Sequence, residues 1–200
     1  LAATIARTEM AVSFRPGEHL STLGGNPVSG AAGRANLRVM QREDLPGQAA
    51  RKRLDRARAE LAETLGVLPK EIVFTGSASE ANALALKGSW AKTSRKRVVT
   101  SAIEHPSVRF TLEQLGAEVT EVAPERSGEI DPDQMIAALG EDVALCSLMW
   151  ANNETGVLQP VEAIAHACRQ RGIRFHTDAV QAFGKVPVSL RECDADLLTL

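Results

Sequence analysis

The 200-residue chain carries a formal net charge of −2, with 44% hydrophobic and 24% charged residues. This balance is typical of a globular protein of one domain, or one domain plus a piece, and argues against disorder. It gives no support to a nucleic-acid-binding domain, which is expected to be basic, and no apolar run is long enough to cross a bilayer. Three widely spaced cysteines and the lack of a signal-peptide pattern predict reduced thiols in a cytoplasmic protein.

Regular periodicity begins near residue 47, after a segment, 1–46, whose periodicity is weak. Ala50, Leu54 and Leu65 lie on one face of a predicted amphipathic helix that ends at Gly66. Further helices are predicted over 80–87, 108–115 and 160–171 and from 131, and strands over 72–74, 98–100, 118–122, 143–149, 173–177 and 196–200. This alternation indicates an α/β fold with a mostly parallel sheet flanked by helices.

Ligands of such folds bind beyond the carboxyl ends of the strands, so the residues that follow each strand are candidates for a site. The first strand is followed by small residues, 76–79, that open a helix. The free N–H groups at that helix start suit an anion, and serine hydroxyls add donors. A plain helix cap explains the same pattern equally well.

Three other strand ends carry polar side chains. His105 is placed for ring stacking or proton transfer, although a solvent-facing loop histidine is the better interpretation of this feature alone. Asn152 and Asn153 offer uncharged donors and acceptors, and on spacing alone they are turn residues. Asp178 ends an apolar strand, so it either caps the next turn or, if buried, faces a cation, a metal or a protonated ring.

Neither a metal site nor a hydrolase triad is favoured. His166 and Cys168 are two residues apart on a predicted helix and therefore point to different faces. Ser77, Asp178 and a histidine make a possible triad on paper, but no Gly-x-Ser-x-Gly sequence supports it. We therefore expect no metal in this chain.

Four segments together resemble cysteine desulfurases of the NifS/IscS type, in the same order and with similar separations. The segments are 71–82 (EIVFTGSASEAN), 101–106 (SAIEHP), 152–156 (NNETG) and 176–185 (HTDAVQAFGK). These enzymes are class V members of the pyridoxal-phosphate enzymes with the aspartate-aminotransferase fold (fold type I). The resemblance covers about 47–200 and implies that this part is an incomplete pyridoxal-phosphate-binding large domain.

The resemblance implies roles for the helix start and for the histidine. Ala78 and Ser79 match the positions that bind the cofactor phosphate through backbone N–H groups and a hydroxyl. Ser79 replaces the commoner threonine and keeps the hydroxyl. His105 matches the histidine that stacks on the pyridine ring and helps to move protons, which makes it the candidate catalytic residue.

Three further positions match cofactor contacts of the family. Asn153 matches the asparagine near the cofactor and the substrate carboxylate. Asp178 matches the carboxylate paired with the ring nitrogen, which keeps the ring protonated and able to accept electrons. Gln181 matches the residue that hydrogen-bonds the ring hydroxyl.

Some family positions have no match in these 200 residues. The Schiff-base lysine of the family follows the strand that corresponds to 196–200, and Lys185 is interpreted as a surface lysine instead. None of Cys146, Cys168 and Cys193 matches the sulfur-accepting cysteine. The resemblance therefore implies that this chain alone binds the cofactor weakly, if at all, and has no turnover.

The segment 1–46 lacks the family's usual N-terminal sequence. Gly25-Asn26-Pro27 does resemble a family motif, but 30–46 is longer than the usual connection to the next helix. This segment is either divergent or the product of a misread frame, and both interpretations stay open.

The leading functional hypothesis is the N-terminal portion of a homodimeric cysteine desulfurase. The full enzyme converts L-cysteine to L-alanine and forms an enzyme persulfide, which supplies sulfur to acceptor or scaffold proteins for iron–sulfur clusters. Another class V enzyme, such as a selenocysteine lyase or an aminotransferase, is the first alternative. A non-catalytic truncated remnant is the second.

Overall fold

The structure is a computed structural model that describes residues 2–6, 47–190 and 192–200. The predicted segment 1–46, with the motif at Gly25, therefore lies outside the described residues apart from one short strand, and the domain boundary at 46 stays a prediction. In the described part of the chain, no helix combines the length and the apolar character that a membrane span requires.

The strands are β1 (Ala2–Ala6), β2 (Ile72–Thr75), β3 (Arg97–Ser101), β4 (Glu118–Val122), β5 (Val143–Ser147), β6 (Arg174–Asp178) and β7 (Leu197–Thr199). The α-helices are α1 (Gly47–Leu65), α2 (Ala78–Trp90), α3 (Pro106–Gln114), α4 (Pro132–Ala137) and α5 (Val161–Gln170). A short 3-10 helix, Pro69–Glu71, precedes β2. The predicted order of helices and strands from residue 47 onward is thus confirmed.

The strands form one sheet in the order β2-β1-β7-β6-β5-β3-β4. Strand β1 is antiparallel to both of its neighbours, and the neighbours from β7 to β4 pair in parallel. The prediction of a mostly parallel sheet is therefore confirmed. Strand β1 itself was not predicted, since five residues in a segment of weak periodicity give little sequence signal.

Helices cover both faces of the sheet, and alternate strand residues pack against them. On one face, Val98 and Leu145 pack with side chains of α2 and α3. On the other, Val99, Cys146 and Phe175 belong to a core that includes side chains of α4 and α5. The carboxyl ends of β5 and β6 and the beginnings of α2 and α3 meet at one edge of this sandwich, which is where ligands of parallel sheets bind.

Helix α1 is confirmed, but its predicted buried face is only partly buried. Leu65 is fully buried, whereas Leu54 is 43% exposed. Only the C-terminal part of the helix reaches the core within the described residues. The side chain of Ala50 lies outside the described residues.

A row of buried polar side chains crosses the central strands. The His176 ring lies 2.9 Å from Ser147 Oγ through Nδ1 and 3.2 Å from Thr199 Oγ1 through Nε2. Burial lowers the pKa of His176 to about 3, because the charged imidazolium would lose its hydration. His176 is therefore neutral at physiological pH and joins three neighbouring strands.

Candidate functional site

Five of the six predicted site residues line one cavity of about 150 Å³: Ala78, His105, Asn153, Asp178 and Gln181. The remaining wall includes Asn82 and Met149. Ser79 does not line the cavity but follows Ala78 in the first turn of α2. The structure thus brings together residues that are up to about a hundred positions apart in the chain, because the ends of adjacent parallel strands share one edge.

The start of α2 is both a capped helix and a source of free N–H groups. Ser77 Oγ accepts the Glu80 N–H at 3.1 Å, and Glu80 Oε2 accepts the Gly76 N–H at 2.8 Å. This cap makes the helix begin at Ala78, two residues before the predicted start. The first turn of a helix has no internal partner for its N–H groups, so those of Ala78 and Ser79 remain available to an anion.

Replacing Ser77 with alanine should lower the free energy of unfolding by about 1 kcal/mol, the usual value of a lost N-cap. Ser79→Ala is the matched control, since no side-chain hydrogen bond of Ser79 is found among the described residues. Urea denaturation of both variants measures the difference. Equal stability of the two variants would contradict the assignment of Ser77 as the cap.

Asp178 ends β6 with a buried carboxylate, 7% exposed. Its Oδ2 accepts a hydrogen bond from Asn82 Nδ2 at 2.7 Å, and its Oδ1 accepts one from the Val180 N–H at 3.1 Å. Both partners are neutral, and none of the ion pairs in the described part of the chain involves this carboxylate. Asp178 therefore does cap the following turn, but its negative charge is left for a cationic group in the cavity.

His105 is half-buried at the junction of β3 and α3. It is the N-cap of α3, where Nδ1 accepts the Ser107 N–H at 3.2 Å and lies 2.7 Å from Ser107 Oγ. Pro106, at the first helical position, needs no N–H partner there and fixes the start of the helix. The ring thus lines the cavity with its orientation held by two contacts to one residue.

The paired asparagines have different surroundings. Asn152 Oδ1 accepts the N–H groups of Glu154 and Thr155, so this side chain closes its own turn. Asn153 is exposed and lines the cavity. The turn interpretation therefore applies to Asn152, and Asn153 is left for contact with a ligand.

Gln181 contacts the exposed Lys185, whose Nζ donates to Gln181 Oε1 at 2.5 Å. The Gln181 amide N–H groups are then the donors that remain for a ligand. None of the lysines in the described part of the chain lines the cavity. The interpretation of Lys185 as a surface lysine fits its exposure.

Glu104 is a buried carboxyl that sequence reasoning missed. Its Oε1 accepts hydrogen bonds from Ser101 Oγ at 2.7 Å and from the N–H of the cavity residue Met149 at 2.8 Å. Burial raises its pKa to about 7, and the nearby charge of Asp178 adds to the rise. The side chain therefore links the end of β3 to the segment after β5. Its position inside the segment SAIEHP beside His105 was the available signal.

The three cysteines are free and buried. Burial raises the pKa of Cys193 to about 11 and raises that of Cys146 well above its usual value. A thiol with a raised pKa carries little thiolate, which is the nucleophilic form. These two thiols are thus poor nucleophiles, in agreement with the absence of a match to a sulfur-accepting cysteine.

Comparison with known proteins gives the family. The family model described as "Aminotransferase class-V" matches residues 34–200. The chain belongs to the class V aminotransferases. The resemblance inferred from the four sequence segments is therefore confirmed.

Among curated class V relatives, a cysteine desulfurase IscS from Pectobacterium carotovorum is 45% identical over 158 residues, which is 76% of this chain and 39% of the relative. A cysteine desulfurase IscS from Neisseria meningitidis is 43% identical over 159 residues, 77% of this chain and 39% of the relative. The chain thus spans about 39% of the length of these relatives.

Solved structures of similar chains agree with the fold. The structure described as "SspA in complex with cysteine" has a TM-score of 0.73 and 31% sequence identity. The match covers 98% of this chain and 54% of the SspA chain. DndA from Streptomyces lividans has a TM-score of 0.67 and 41% identity, with coverages of 70% and 41%. The predicted fold class, fold type I, is thereby confirmed.

Proposed function

We propose that this chain is the N-terminal portion of a pyridoxal-phosphate-dependent cysteine desulfurase and that it holds the cofactor. The observation that carries the proposal is the unpaired charge of Asp178 in the same cavity as the first turn of α2, where the N–H groups of Ala78 and Ser79 are available. The names of the relatives support the reaction class. The substrate, L-cysteine, is supported by the SspA structure, which was described with cysteine.

The residues present fit the cofactor at both of its charged ends. The N–H groups of Ala78 and Ser79 at a helix N-terminus suit a phosphate dianion. A buried carboxylate with neutral partners, Asp178, suits a protonated pyridine nitrogen. When bound, pyridoxal phosphate supplies an electron sink for carbanion chemistry.

Each side chain then has a role that its contacts allow. Asp178 holds a proton at the ring nitrogen, and its own position is fixed by Asn82 and the Val180 N–H. His105 would pack against the ring and would hold or move a proton at Nε2, since Nδ1 is occupied by Ser107. Gln181 donates to the ring hydroxyl through the amide group that Lys185 leaves free.

The remaining proposals concern the whole protein. Asn153 contributes to binding of the substrate carboxylate, because it is the exposed asparagine on the cavity wall. We also propose a cytoplasmic homodimer that delivers sulfur to acceptor or scaffold proteins for iron–sulfur clusters. The buried free cysteines are what a reducing compartment predicts.

Incubation of the 200-residue chain with pyridoxal phosphate and L-cysteine tests the proposal. We expect reversible, weak binding without release of alanine, since no described lysine lines the cavity. Lys185→Ala should bind the cofactor as the unchanged chain does. A covalent cofactor adduct that disappears in Lys185→Ala, or alanine release by the unchanged chain, would contradict the proposed division of roles.

A further inference from the structure

Asn82 is a buried polar residue on the apolar side of α2. Its side chain is 1% exposed, and its neighbours along this side of the helix, Ala85 and Leu86, are fully buried and apolar. It stands between the end of β6 and the first turn of α3, where it contacts Asp178 and Ser107. None of the sequence motifs assigned it a role.

The polarity of the hydrogen bonds around Asn82 follows from the chemistry of its partners. A carboxylate only accepts, so Asn82 must present its amide nitrogen, Nδ2, to Asp178 Oδ2 at 2.7 Å. The same nitrogen lies 3.0 Å from Ser107 Oγ and donates its second proton there. Both N–H groups of the amide are thus used, one toward the end of β6 and one toward the first turn of α3.

The chain of bonds continues from Ser107 to His105. Because Ser107 Oγ accepts from Asn82, its own proton is free to be donated to His105 Nδ1, 2.7 Å away. The Ser107 N–H also donates to Nδ1, at 3.2 Å. Nδ1 is therefore an acceptor, and the proton of the neutral His105 ring resides on Nε2.

This arrangement has a cost that packing alone does not explain. Asn82 Oδ1 is buried and has no hydrogen-bond partner among the described residues. A buried acceptor without a partner is unfavourable, whereas an apolar side chain such as that of Leu86 would fill the position without this loss. The asparagine is thus accounted for by its two donors and not by its volume.

We propose that Asn82 is a positioning residue, which joins Asp178 and, through Ser107, His105 into one hydrogen-bonded unit. It orients the Asp178 carboxylate and fixes the ring orientation and tautomer of His105 at the same time. The inference concerns the site described under the proposed function and rests on that function for its purpose. The hydrogen-bonded unit itself exists without any ligand.

Nuclear magnetic resonance of the ¹⁵N-labelled chain without ligand tests the unit directly. In the unchanged chain we expect the ring signals of His105 to show an unprotonated Nδ1 and a protonated Nε2. Asn82→Ala and Asn82→Leu should both shift these signals and the backbone signal of Asp178. Leucine has the same branched shape as asparagine but cannot donate, so retention of the native signals in Asn82→Leu would overturn the proposal.

Two further variants separate positioning from general destabilisation. Ser107→Ala should shift the His105 signals and leave the contact between Asn82 and Asp178 in place. Ser89→Ala is the matched control, because this hydroxyl lies on the same helix, is buried and has no partner among the described residues. If Ser89→Ala moved the His105 signals as far as Asn82→Ala, a positioning role would be excluded.

Titration with pyridoxine 5′-phosphate, which lacks the reactive aldehyde, links the unit to the site. We expect Asn82→Ala to raise the Kd for this ligand about tenfold. In a chain that already carries Asp178→Asn, the same substitution should raise the Kd little further. Failure of the unchanged chain to bind the ligand, with the native ring signals intact, would reject the proposal that this chain holds the cofactor and leave the unit standing. Equal binding and equal ring signals in the unchanged chain and in Asn82→Ala would reject the role of Asn82.

Discussion

Removal of the charge of Asp178 should raise the Kd for pyridoxine 5′-phosphate by about 10- to 100-fold. A hydrogen bond to a charged group contributes about 1.5 to 3 kcal/mol, and each 1.4 kcal/mol is about tenfold in affinity. Asp178 is the carboxylate on the cavity wall with only neutral partners, so its charge is available to the ring nitrogen. Asp178→Asn keeps the shape of the side chain, removes this charge and replaces one of the two acceptor oxygens with an amide donor.

The control for Asp178→Asn is Glu129→Gln, which removes one exposed carboxylate outside the cavity. Both variants change the net charge of the chain by the same amount, so a general electrostatic effect on an anionic ligand would appear in both. Titrations followed by amide resonances give the two dissociation constants even when binding is weak. Indistinguishable constants for Asp178→Asn and the unchanged chain would contradict the assignment of the ring nitrogen to Asp178.

Replacing Glu104 with glutamine should raise the free energy of unfolding by about 3 kcal/mol at pH 8 and leave it nearly unchanged at pH 4. The carboxyl is 5% exposed, and burial raises its pKa from the usual value of about 4.5 to about 7. Glutamine keeps the oxygen that accepts from Ser101 and Met149, and it is neutral at every pH. It therefore mimics the protonated form of Glu104.

The direction of this pH dependence follows from the two pKa values. Because the pKa of Glu104 is higher in the folded state, its contribution is complete below about pH 4.5 and is lost as the pH rises to about 7. His176 acts oppositely, since its folded pKa of about 3 makes acid below pH 6.5 destabilising. Between about pH 4.5 and 6.5, a rise in pH lowers the free energy of unfolding through Glu104 and raises it through His176. In Glu104→Gln only the effect of His176 remains, so the free energy of unfolding should rise by about 1.4 kcal/mol per pH unit in this range.

Urea denaturation from pH 4 to pH 8 measures the difference between Glu104→Gln and the unchanged chain. Taking the difference removes the titration of all the carboxyls that the two proteins share. Glu113→Gln, an exposed carboxyl on α3, is the control and should give a difference near zero throughout. A difference for Glu104→Gln that does not change with pH would show that folding does not raise the pKa of Glu104 and would contradict the prediction.

The sequence alone predicts the gathering of the site residues well, for a geometric reason. His105 and Asn153 follow parallel strands and Asp178 ends one, and the carboxyl ends of such strands meet at one edge of the sheet. Only the periodic pattern of strands and helices is needed to place them together. The roles of these residues toward the cofactor stay predictions that the experiments above test.

Other features depend on how the elements dock and cannot be predicted from local patterns. Asn82 contacts Asp178 and Ser107 only because α2 packs against β6 and α3. Its position within a helix therefore does not predict either contact. The different surroundings of Asn152 and Asn153 depend on the path of one turn. Strand β1 is identified only by its pairing with β2 and β7, which are distant in the chain.

The central claim is that the first turn of α2 and the end of β6 form one site for a phosphorylated pyridine. Mapping the amide shifts of the ¹⁵N-labelled chain on addition of pyridoxine 5′-phosphate, and of pyridoxine as the phosphate-free control, tests it most directly. We predict saturable shifts at Asp178 and Gln181, with shifts at Ala78 and Ser79 that require the phosphate. Shifts confined to other surfaces, or none at these four residues, would contradict the account.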